Sequence, residues 1–274
     1  MTVEADVADH YSSGTLLSRI TDALGKIGKD LSSVTASDLK PVDEFHIGGL
    51  AATQELMDQV PLSKESRVLD IGSGIGGTAR FLTSQYGCTV HGIDLTPEFV
   101  ETAQALCAAV GVPATFEVGS GTDLPVDDDA YDVATLIHVG MNIPDKQTLF
   151  AEAARALKPG GYLAVYDVMA GEEEGLNYPV PWASGQDGSF LAAPDAYEAA
   201  GRAAGFDIVA TRNRGDFGRE FFRKLSARLA ESGPPPIGLP LIMGENAPTK
   251  IANMVDGLNR RCIAPVEIIF RLDR

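Results

Sequence analysis

Cysteine and long apolar runs are scarce in this sequence of 274 residues. The three cysteines, Cys88, Cys107 and Cys262, are scattered without CxxC spacing, which excludes a disulfide framework and a cysteine-based zinc site. No run of eighteen apolar residues is present, so we predict no membrane-spanning helix. Residues 1–6 are acidic and lack the basic stretch and apolar run of a signal peptide. We therefore expect a cytoplasmic protein in a reducing compartment.

Basic residues are also few: 22 Lys and Arg stand against 38 Asp and Glu, for a net charge of −16. So negative a surface repels phosphate backbones and anionic lipids. We expect no nucleic-acid partner and no membrane partner, whereas a cationic ligand is tolerated. No compact group of acidic and amide ligands surrounds the fourth predicted strand, so we predict no metal site.

Short β-rich segments alternate with helical segments between residues 65 and 167, which is typical of a parallel sheet covered by helices. The predicted strands cover residues 66–71, 88–94, 114–118, 131–138, 161–167, 206–211 and 264–271. The predicted helices of this region cover residues 78–85, 97–110, 145–157 and 193–205. The third of these helices ends at a Lys-Pro-Gly-Gly sequence, residues 158–161, where Pro and Gly cannot continue it.

The segments outside this region differ in character. Residues 1–60 are polar and helical in pattern, which predicts an arm or lid. The core is predicted to comprise residues 61–215 and 260–274. Residues 216–259 form an insertion before the last strand, which is a natural place for a cap over a substrate. The fold class is α/β.

A glycine-rich loop follows the first strand, in residues 68–78. Gly72, Gly74 and Gly77 match a GxGxxG pattern, which permits a tight turn and a close approach of a ligand to the backbone. The pattern alone also permits a dinucleotide. Asp70 decides between them, because its carboxylate would repel a pyrophosphate and attract an ammonium or sulfonium group. S-adenosylmethionine carries both of those cations and no phosphate.

Two further segments suit a nucleoside. Asp94 ends the second strand, twenty residues after Gly74, where a carboxylate can accept hydrogen bonds from both ribose hydroxyls. This feature supports NAD and S-adenosylmethionine equally. The polar turn at residues 119–125 follows the third strand and is expected to meet the edge of an adenine ring.

Residues 66–167 resemble a class I S-adenosylmethionine-dependent methyltransferase. The segments that carry the resemblance are residues 70–77, 92–95, 123–132 and 156–161. Residues 44–48 (Glu-Phe-His-Ile-Gly) and 76–82 resemble a narrower group, the sarcosine/dimethylglycine N-methyltransferases and natural-product sugar O-methyltransferases. The narrower match covers little sequence.

The resemblance implies a doubly wound, seven-stranded, mostly parallel sheet whose last strand is antiparallel, with the cofactor across the carboxyl ends of the strands. By the same resemblance, the cofactor-binding residues are Asp70, Gly72, Ser73 and Gly74 for the methionine part, Asp94 and Leu95 for the ribose, Ser120 and Gly121 for the adenine, and His138 beside the methyl group. Many relatives have Asp-Ala at the positions of Ser120 and Gly121, and several have His at the position of Asn142. We therefore expect a changed adenine contact and a different base.

Three residues are candidates for catalysis. His138 closes the fourth strand, and His46 lies in an element able to fold over the same place. Either imidazole can accept a proton near neutral pH. Asp167, at the end of the fifth strand, resembles an acid of the sugar O-methyltransferases. A structural hydrogen bond is the alternative for all three.

Aromatic residues supply the candidates for the substrate pocket. Tyr11 is expected to close over the cofactor, and Tyr178 and Trp182 to wall the pocket. Packing at the surface or in a small apolar cluster is the alternative. The basic residues of the cap, Arg219, Arg223 and Lys224, suit a carboxylate on the substrate or a solvated helix face.

These observations predict methyl transfer from S-adenosylmethionine to a small molecule by in-line displacement, with an amine nitrogen first and an oxygen or carbon of a natural product as the alternative. Two other classes stay open, a nicotinamide-dependent reductase and a non-catalytic S-adenosylmethionine-binding protein. Asp70 and the turn at 158–161 disfavour the reductase. The long helical arm leaves room for a homo-oligomer.

Overall fold

The architecture is a seven-stranded sheet with helices on both sides. It is seen in a computed structural model that describes residues 2–244 and 246–273. Met1, Glu245 and Arg274, which the predicted arm, cap and core include, lie outside the described residues. The strands are β1 Arg67–Ile71, β2 Thr89–Asp94, β3 Thr115–Val118, β4 Tyr131–Ile137, β5 Leu157–Ala170, β6 Phe206–Asn213 and β7 Ile263–Leu272. The helices are α1 Val3–Tyr11, α2 Leu16–Gly25, α3 Ala36–Asp43, α4 Gly49–Met57, α5 Gly77–Tyr86, α6 Pro97–Val110, α7 Lys146–Ala156, α8 Pro194–Ala203, α9 Gly215–Ser232, α10 Pro240–Met243 and α11 Ala247–Asn259.

The strand order is β3-β2-β1-β4-β5-β7-β6. Strands β1 to β5 pair in parallel, and β7 lies antiparallel between β5 and β6. The order reverses between β1 and β4, which is the place where open α/β sheets bind ligands. The predicted fold class is confirmed.

Alternate residues of the strands pack on opposite faces of the sheet, as the period of a strand requires. Leu69 and Ile71 of β1 belong to an apolar cluster with residues of α7 and α8. Val68 belongs to a second cluster with residues of α4, α5 and α6. Burial on both faces explains why Val68, Leu69 and Ile71 of β1 are all apolar.

Strand β5 differs from the prediction. It begins at Leu157, directly after α7, whereas the sequence predicted a turn over residues 158–161 and a strand from 161. Leu157 pairs with Tyr131 of β4, and the register shifts between Tyr131 and Val133. The proline and glycines are accommodated inside an irregular strand, because an irregular pairing absorbs residues that a regular ladder would exclude.

The predicted helical arm consists of α1 to α4. Leu16 and Ile20 of α2 share an apolar cluster with Phe99 of α6 and with Ile242 of α10. The arm therefore packs on both the core and the inserted helices α9 to α11, which lie between β6 and β7. No helix in the part of the chain that the structure describes has the length and apolar character that crossing a membrane requires.

A buried ion pair fastens the end of α3 to α5. The guanidinium of Arg80 contacts the carboxylate of Asp43, and their side chains are 1% and 7% exposed. The backbone comes equally close, since a Cβ at Gly77 would lie 2.1 Å from the carbonyl oxygen of Asp43. Gly77 therefore serves the docking of the arm, a role that the GxGxxG pattern did not predict.

Candidate active site

A cavity of about 760 Å³ opens at the carboxyl ends of β1, β2 and β4. Small-molecule sites usually enclose about 300–1,000 Å³. Its walls come from three parts of the chain: the arm, the loops that follow the strands, and the helices α9 to α11. The site residues that line it are Tyr11, His46, Asp70, Gly72, Ser73, Gly74, Asp94, Leu95, Ser120, Gly121, His138 and Trp182.

The glycine loop turns sharply after β1. Gly72 and Gly74 have φ angles of +74° and +52°, which side chains other than glycine rarely adopt. The backbone N–H groups of Gly72 and Ser73 donate to the carbonyl oxygen of Ile93, at 2.7 and 3.0 Å. No atom lies within 4 Å of a Cβ placed at Gly74. The loop is therefore pinned to β2 while Gly74 leaves its surroundings open.

Asp70 is a buried carboxylate with an unsatisfied oxygen. Oδ1 accepts a hydrogen bond from Thr135 Oγ1 at 2.7 Å, whereas Oδ2 has no partner among the described residues. Burial raises the pKa of Asp70 to about 6. Ser73 Oγ is also buried without a described partner. Buried polar atoms are nearly always paired, so this corner of the cavity fits a ligand that brings a cation and hydrogen-bonding groups.

Asp94 is held in place by backbone N–H groups. Oδ2 accepts from Gly74 N at 2.8 Å and Oδ1 from Thr96 N at 2.9 Å. Each carboxylate oxygen can accept a second hydrogen bond. Burial raises the pKa of this carboxyl, and the two N–H donors oppose that rise. The remaining lone pairs suit a diol, and the predicted ribose role fits this geometry.

The turn around Ser120 is contacted by Glu4, a residue that the sequence did not single out. Ser120 Oγ donates to the carboxylate of Glu4, which lies on α1 and lines the cavity. Ser120 Oγ also accepts from Thr122 N at 3.0 Å. The serine hydroxyl is thus engaged, and the acidic group at this turn comes from a residue 116 positions away in sequence.

His138 and His46 lie together on one side of the cavity, with ring centroids 5.7 Å apart. His138 has a φ of +55°, and its backbone N–H donates to Tyr166 O at 2.7 Å. Its Nε2 is buried and has no partner among the described residues. Burial, with a contribution from His46, holds the pKa of His138 well below its ordinary value. The imidazole is therefore neutral near pH 7.

His46 has partners that His138 lacks. Its Nε2 lies 3.0 Å from Thr53 Oγ1 and 3.2 Å from Gly49 O. Burial lowers the pKa of His46 to about 4. The ring is therefore neutral and fixed in orientation.

Glu44 completes this group, and the sequence indicated it only as part of the Glu-Phe-His-Ile-Gly segment. Its Oε2 accepts from Thr53 Oγ1 at 2.8 Å and lies 3.3 Å from Nε2 of His46. Burial raises the pKa of Glu44 to about 7. A carboxyl that titrates near neutral pH thus lines the cavity beside two neutral imidazoles.

Tyr11 and Asn142 meet across the cavity wall, with 3.3 Å between Tyr11 Oη and Asn142 Nδ2. Burial raises the pKa of the Tyr11 phenol, so the phenol is neutral and bonds as a hydroxyl. Tyr11 also packs edge-on against Phe45. Trp182 donates from Nε1 to Ser189 Oγ at 2.9 Å, which leaves its ring as the surface beside the cavity.

Asp167 and Tyr178 are corrections to the predicted site, since neither is among the described residues that line the cavity. Asp167 is fully buried and accepts from Tyr197 Oη at 2.7 Å and from Val168 N at 3.0 Å. Its side chain lies on the far side of β5, because successive strand residues face opposite sides. Tyr178 packs against the apolar cluster that contains Val180.

The basic residues of α9 pair with acidic residues of the same helix, which favours the solvated helix face over a substrate carboxylate. Arg219 contacts Asp216, and Arg223 and Lys224 contact Glu220. These pairs lie along the helix surface. Among the described basic residues of α9, only Arg228 lines the cavity.

Comparison with known proteins identifies the central segment. Residues 69–165 match the family described as Methyltransferase domain. The chain is 30% identical over 134 residues to the methyltransferase GfsG of Streptomyces halstedii, covering 48% of each protein. It is 32% identical over 139 residues to the glycine/sarcosine/dimethylglycine N-methyltransferase of Actinopolyspora halophila, covering 50% of this chain and 25% of that protein. The chain thus spans half or less of the length of these curated relatives.

A solved structure extends the likeness over the whole fold. The geranyl diphosphate C-methyltransferase of Streptomyces coelicolor A3(2) superposes with a TM-score of 0.70 at 15% identity, covering 99% of this chain and 98% of that chain. Identity this low shows the fold alone. Residues 69–165 thus match a methyltransferase domain, and the chain as a whole has the fold of the class I methyltransferases.

Proposed function

We propose that this protein transfers a methyl group from S-adenosylmethionine to a small molecule by direct in-line displacement, with an amine nitrogen as the first choice of acceptor atom. The observation that carries the proposal is a pair of unsatisfied buried atoms in one cavity lining, Asp70 Oδ2 and His138 Nε2. Asp70 Oδ2 needs a cation or a hydrogen-bond donor, and we assign His138 Nε2 to take a proton from the acceptor. The methyltransferase-domain match of residues 69–165 supports the same reaction.

Each group of residues at the site holds a different part of the cofactor. Asp70 and the loop from Gly72 to Gly74 hold the ammonium end of the cofactor, and Asp94 and Leu95 hold the ribose. S-adenosylmethionine, when bound, supplies a methyl group already activated by its sulfonium. The protein therefore contributes mainly positioning and exclusion of water.

The acceptor loses a proton to Nε2 of His138 when its nucleophile is a hydroxyl or an acidic carbon. An amine that arrives uncharged needs no base to start the reaction. Thr53 and Gly49 fix His46 beside His138, so His46 serves to position the second imidazole. The cavity thus serves nitrogen, oxygen or carbon acceptors with one set of groups.

Two observations favour an amine as the acceptor. One relative is named for N-methylation of glycine, sarcosine and dimethylglycine, and the net charge of −16 favours a cationic ligand. Methylation of an oxygen or carbon of a natural product is the second candidate. The apolar residues that line the cavity, among them Phe221, Phe222 and Trp182, favour this second candidate. A protein that binds S-adenosylmethionine without catalysis stands as the alternative from another class.

The first experiment is calorimetric titration of the purified protein with S-adenosylmethionine, S-adenosylhomocysteine and NADH in parallel. Micromolar binding of the two sulfur compounds, without binding of NADH, supports S-adenosylmethionine as the cofactor. Transfer of a labelled methyl group to any member of a panel of amines, phenols and polyketides then distinguishes an enzyme from a binding protein. Binding of NADH alone would contradict the role of Asp70 and the proposed reaction.

A further inference from the structure

One part of the cavity wall comes from the inserted helices α9 to α11, and we call the space beside it the cap lobe. The residues that line it lie within 221–243, together with Ile251 and Met254. These residues lie outside the segment 69–165 that matches the methyltransferase domain. The chemistry of their side chains therefore gives information on the acceptor that the family match does not contain.

The cap lobe is apolar almost throughout. Among the described cap residues that line the cavity, Arg228 alone carries a polar or charged side chain, and Arg228 is exposed. The others are aromatic, aliphatic, methionine, proline or glycine residues, and they include Phe221, Phe222, Leu225, Ile242, Met243 and Met254. Such walls favour contact with an apolar ligand over contact with water.

The arm and the loop after β5 add apolar residues to the cavity wall, beside the charged Lys40, Asp43 and Glu44 of the arm. Val7 and Phe45 come from the arm, and Trp182 comes from the loop after β5. Trp182 uses its one polar hydrogen on Ser189, so it presents ring carbon to the cavity. Apolar surface thus bounds the lobe from the arm, from the loop and from the cap.

The lobe is continuous with the histidine pair. Phe222 and Met254 belong to the same apolar cluster as Ile47 and Met141. Ile47 follows His46 directly in sequence, and Met141 lies three residues after His138. A ligand that fills the lobe therefore reaches the place where His138 is free to accept a proton.

We infer that the methyl acceptor is a molecule with a bulky apolar body, such as an alkyl chain or a fused carbocycle, bound in the cap lobe with its nucleophilic atom at His138. This inference rests on the proposed function. Glycine, sarcosine and dimethylglycine are too small and polar to cover the lobe. Their binding would leave the apolar walls in water.

The test uses two series of ligands, n-alkylamines and n-alkanols from four to eight carbons, titrated by calorimetry into protein saturated with S-adenosylhomocysteine. Each methylene that enters the lobe should tighten binding roughly 4-fold in both series. Sarcosine and dimethylglycine should bind more weakly than octylamine. Equal affinity across both series, or tighter binding of sarcosine than of octylamine, would overturn the inference.

A matched pair of variants locates the effect. Leu225→Glu puts a charge in the lobe, whereas Ala230→Glu puts the same charge on an exposed position of the same helix that does not line the cavity. Leu225→Glu should abolish the dependence on chain length, and Ala230→Glu should retain it. Melting temperature and affinity for S-adenosylhomocysteine confirm that both variants are folded. Retention of the dependence in folded Leu225→Glu would contradict the inference.

The design separates two failures. If S-adenosylhomocysteine does not bind, the proposed function fails, and the alkyl series is then measured on the protein alone. If S-adenosylhomocysteine binds and chain length has no effect, the proposed function stands and the apolar acceptor is wrong.

Discussion

The rings of His46 and His138 lie 5.7 Å apart, yet the Nε2 atoms of the two rings differ in their hydrogen bonds. Thr53 and Gly49 occupy Nε2 of His46, whereas Nε2 of His138 has no partner among the described residues. The two histidines were equal candidates in the sequence. We therefore propose His138 as the base and His46 as a positioning residue.

Replacement of the base should slow chemistry without weakening cofactor binding. For a hydroxyl or carbon acceptor, His138→Asn should lower the single-turnover rate of methyl transfer about 10²–10⁴-fold, the usual contribution of a general base. His46→Gln should have a smaller effect. Rapid-quench measurement with labelled S-adenosylmethionine gives the rates, and calorimetry with S-adenosylhomocysteine is the control. An unchanged rate in both variants with such an acceptor would exclude the histidine base.

Asp70 should recognise the ammonium group and not the nucleoside. Asp70→Asn keeps the shape and removes the charge, so affinity for S-adenosylhomocysteine should fall about 10-fold or more. Methylthioadenosine lacks the amino-acid part and should bind the variant and the unmodified protein equally. Asp94→Asn, the matched control, should weaken both ligands. Equal losses of affinity for the two ligands in Asp70→Asn would contradict this assignment.

Glu4 should contribute to recognition of the adenine. Its carboxylate lies at the Ser120 turn, where many relatives have an aspartate that Ser120 replaces. A hydrogen bond from N6 of adenine to this carboxylate should make S-adenosylhomocysteine bind about 10-fold tighter than its inosine analogue. Glu4→Ala should reduce that preference. Competition calorimetry measures it, and an unaltered preference would show that Glu4 only holds Ser120.

Asp167 should make stability depend on pH. Burial raises its pKa from 3.8 to about 7, so the folded protein prefers the protonated form. The resulting stabilisation is complete below about pH 4 and is lost as the pH rises to about 7, by up to about 1.4 kcal/mol per pH unit. Asp167→Asn removes this loss. The free energy of unfolding of the variant, relative to that of the unmodified protein, should therefore rise between pH 4 and pH 8. Urea unfolding at several pH values tests this, and parallel curves would contradict it.

Loss of the ion pair between Arg80 and Asp43 should destabilise the protein strongly. Asp43→Ala leaves a guanidinium that is 1% exposed without its carboxylate, and the free energy of unfolding should fall by about 3–5 kcal/mol. Asp43→Asn retains a hydrogen-bond acceptor and should lose less. Chemical denaturation of both variants measures the difference. Equal stability of Asp43→Ala and the unmodified protein would contradict a structural role for the pair.

The sheet and the cofactor end of the site were predictable because their signals are local. A β-rich run that contains the acid Asp70 and is followed by glycines marks β1 and its loop, and Asp94 ends the next strand twenty residues after Gly74. The contact of Glu4 with Ser120 joins residues 116 positions apart, and no local pattern indicates it.

The second feature that the sequence could not predict was the face of the strand on which a side chain lies. The sequence predicts Asp167 at the end of the fifth strand, where a catalytic acid would stand, but β5 continues to Ala170. Tyr166, the neighbour of Asp167, is the residue that lies beside His138, with ring centroids 5.3 Å apart. A shift of one residue along a strand moves a side chain to the opposite face. The apolar lining of the cap had no local signal either, because it depends on how α9 and α11 are turned toward the sheet.

No side chain of helix α1 is fully buried, and Glu4, Val7 and Tyr11 form part of the cavity wall. The chain just after it is firmly anchored, since the carboxylate of Glu98 accepts hydrogen bonds from the N–H groups of Gly14 and Leu16 at 3.0 and 2.6 Å. Local opening costs least where few side chains are buried. Opening of the cavity at α1 would therefore uncover few buried side chains, while the anchored chain that follows it keeps its place.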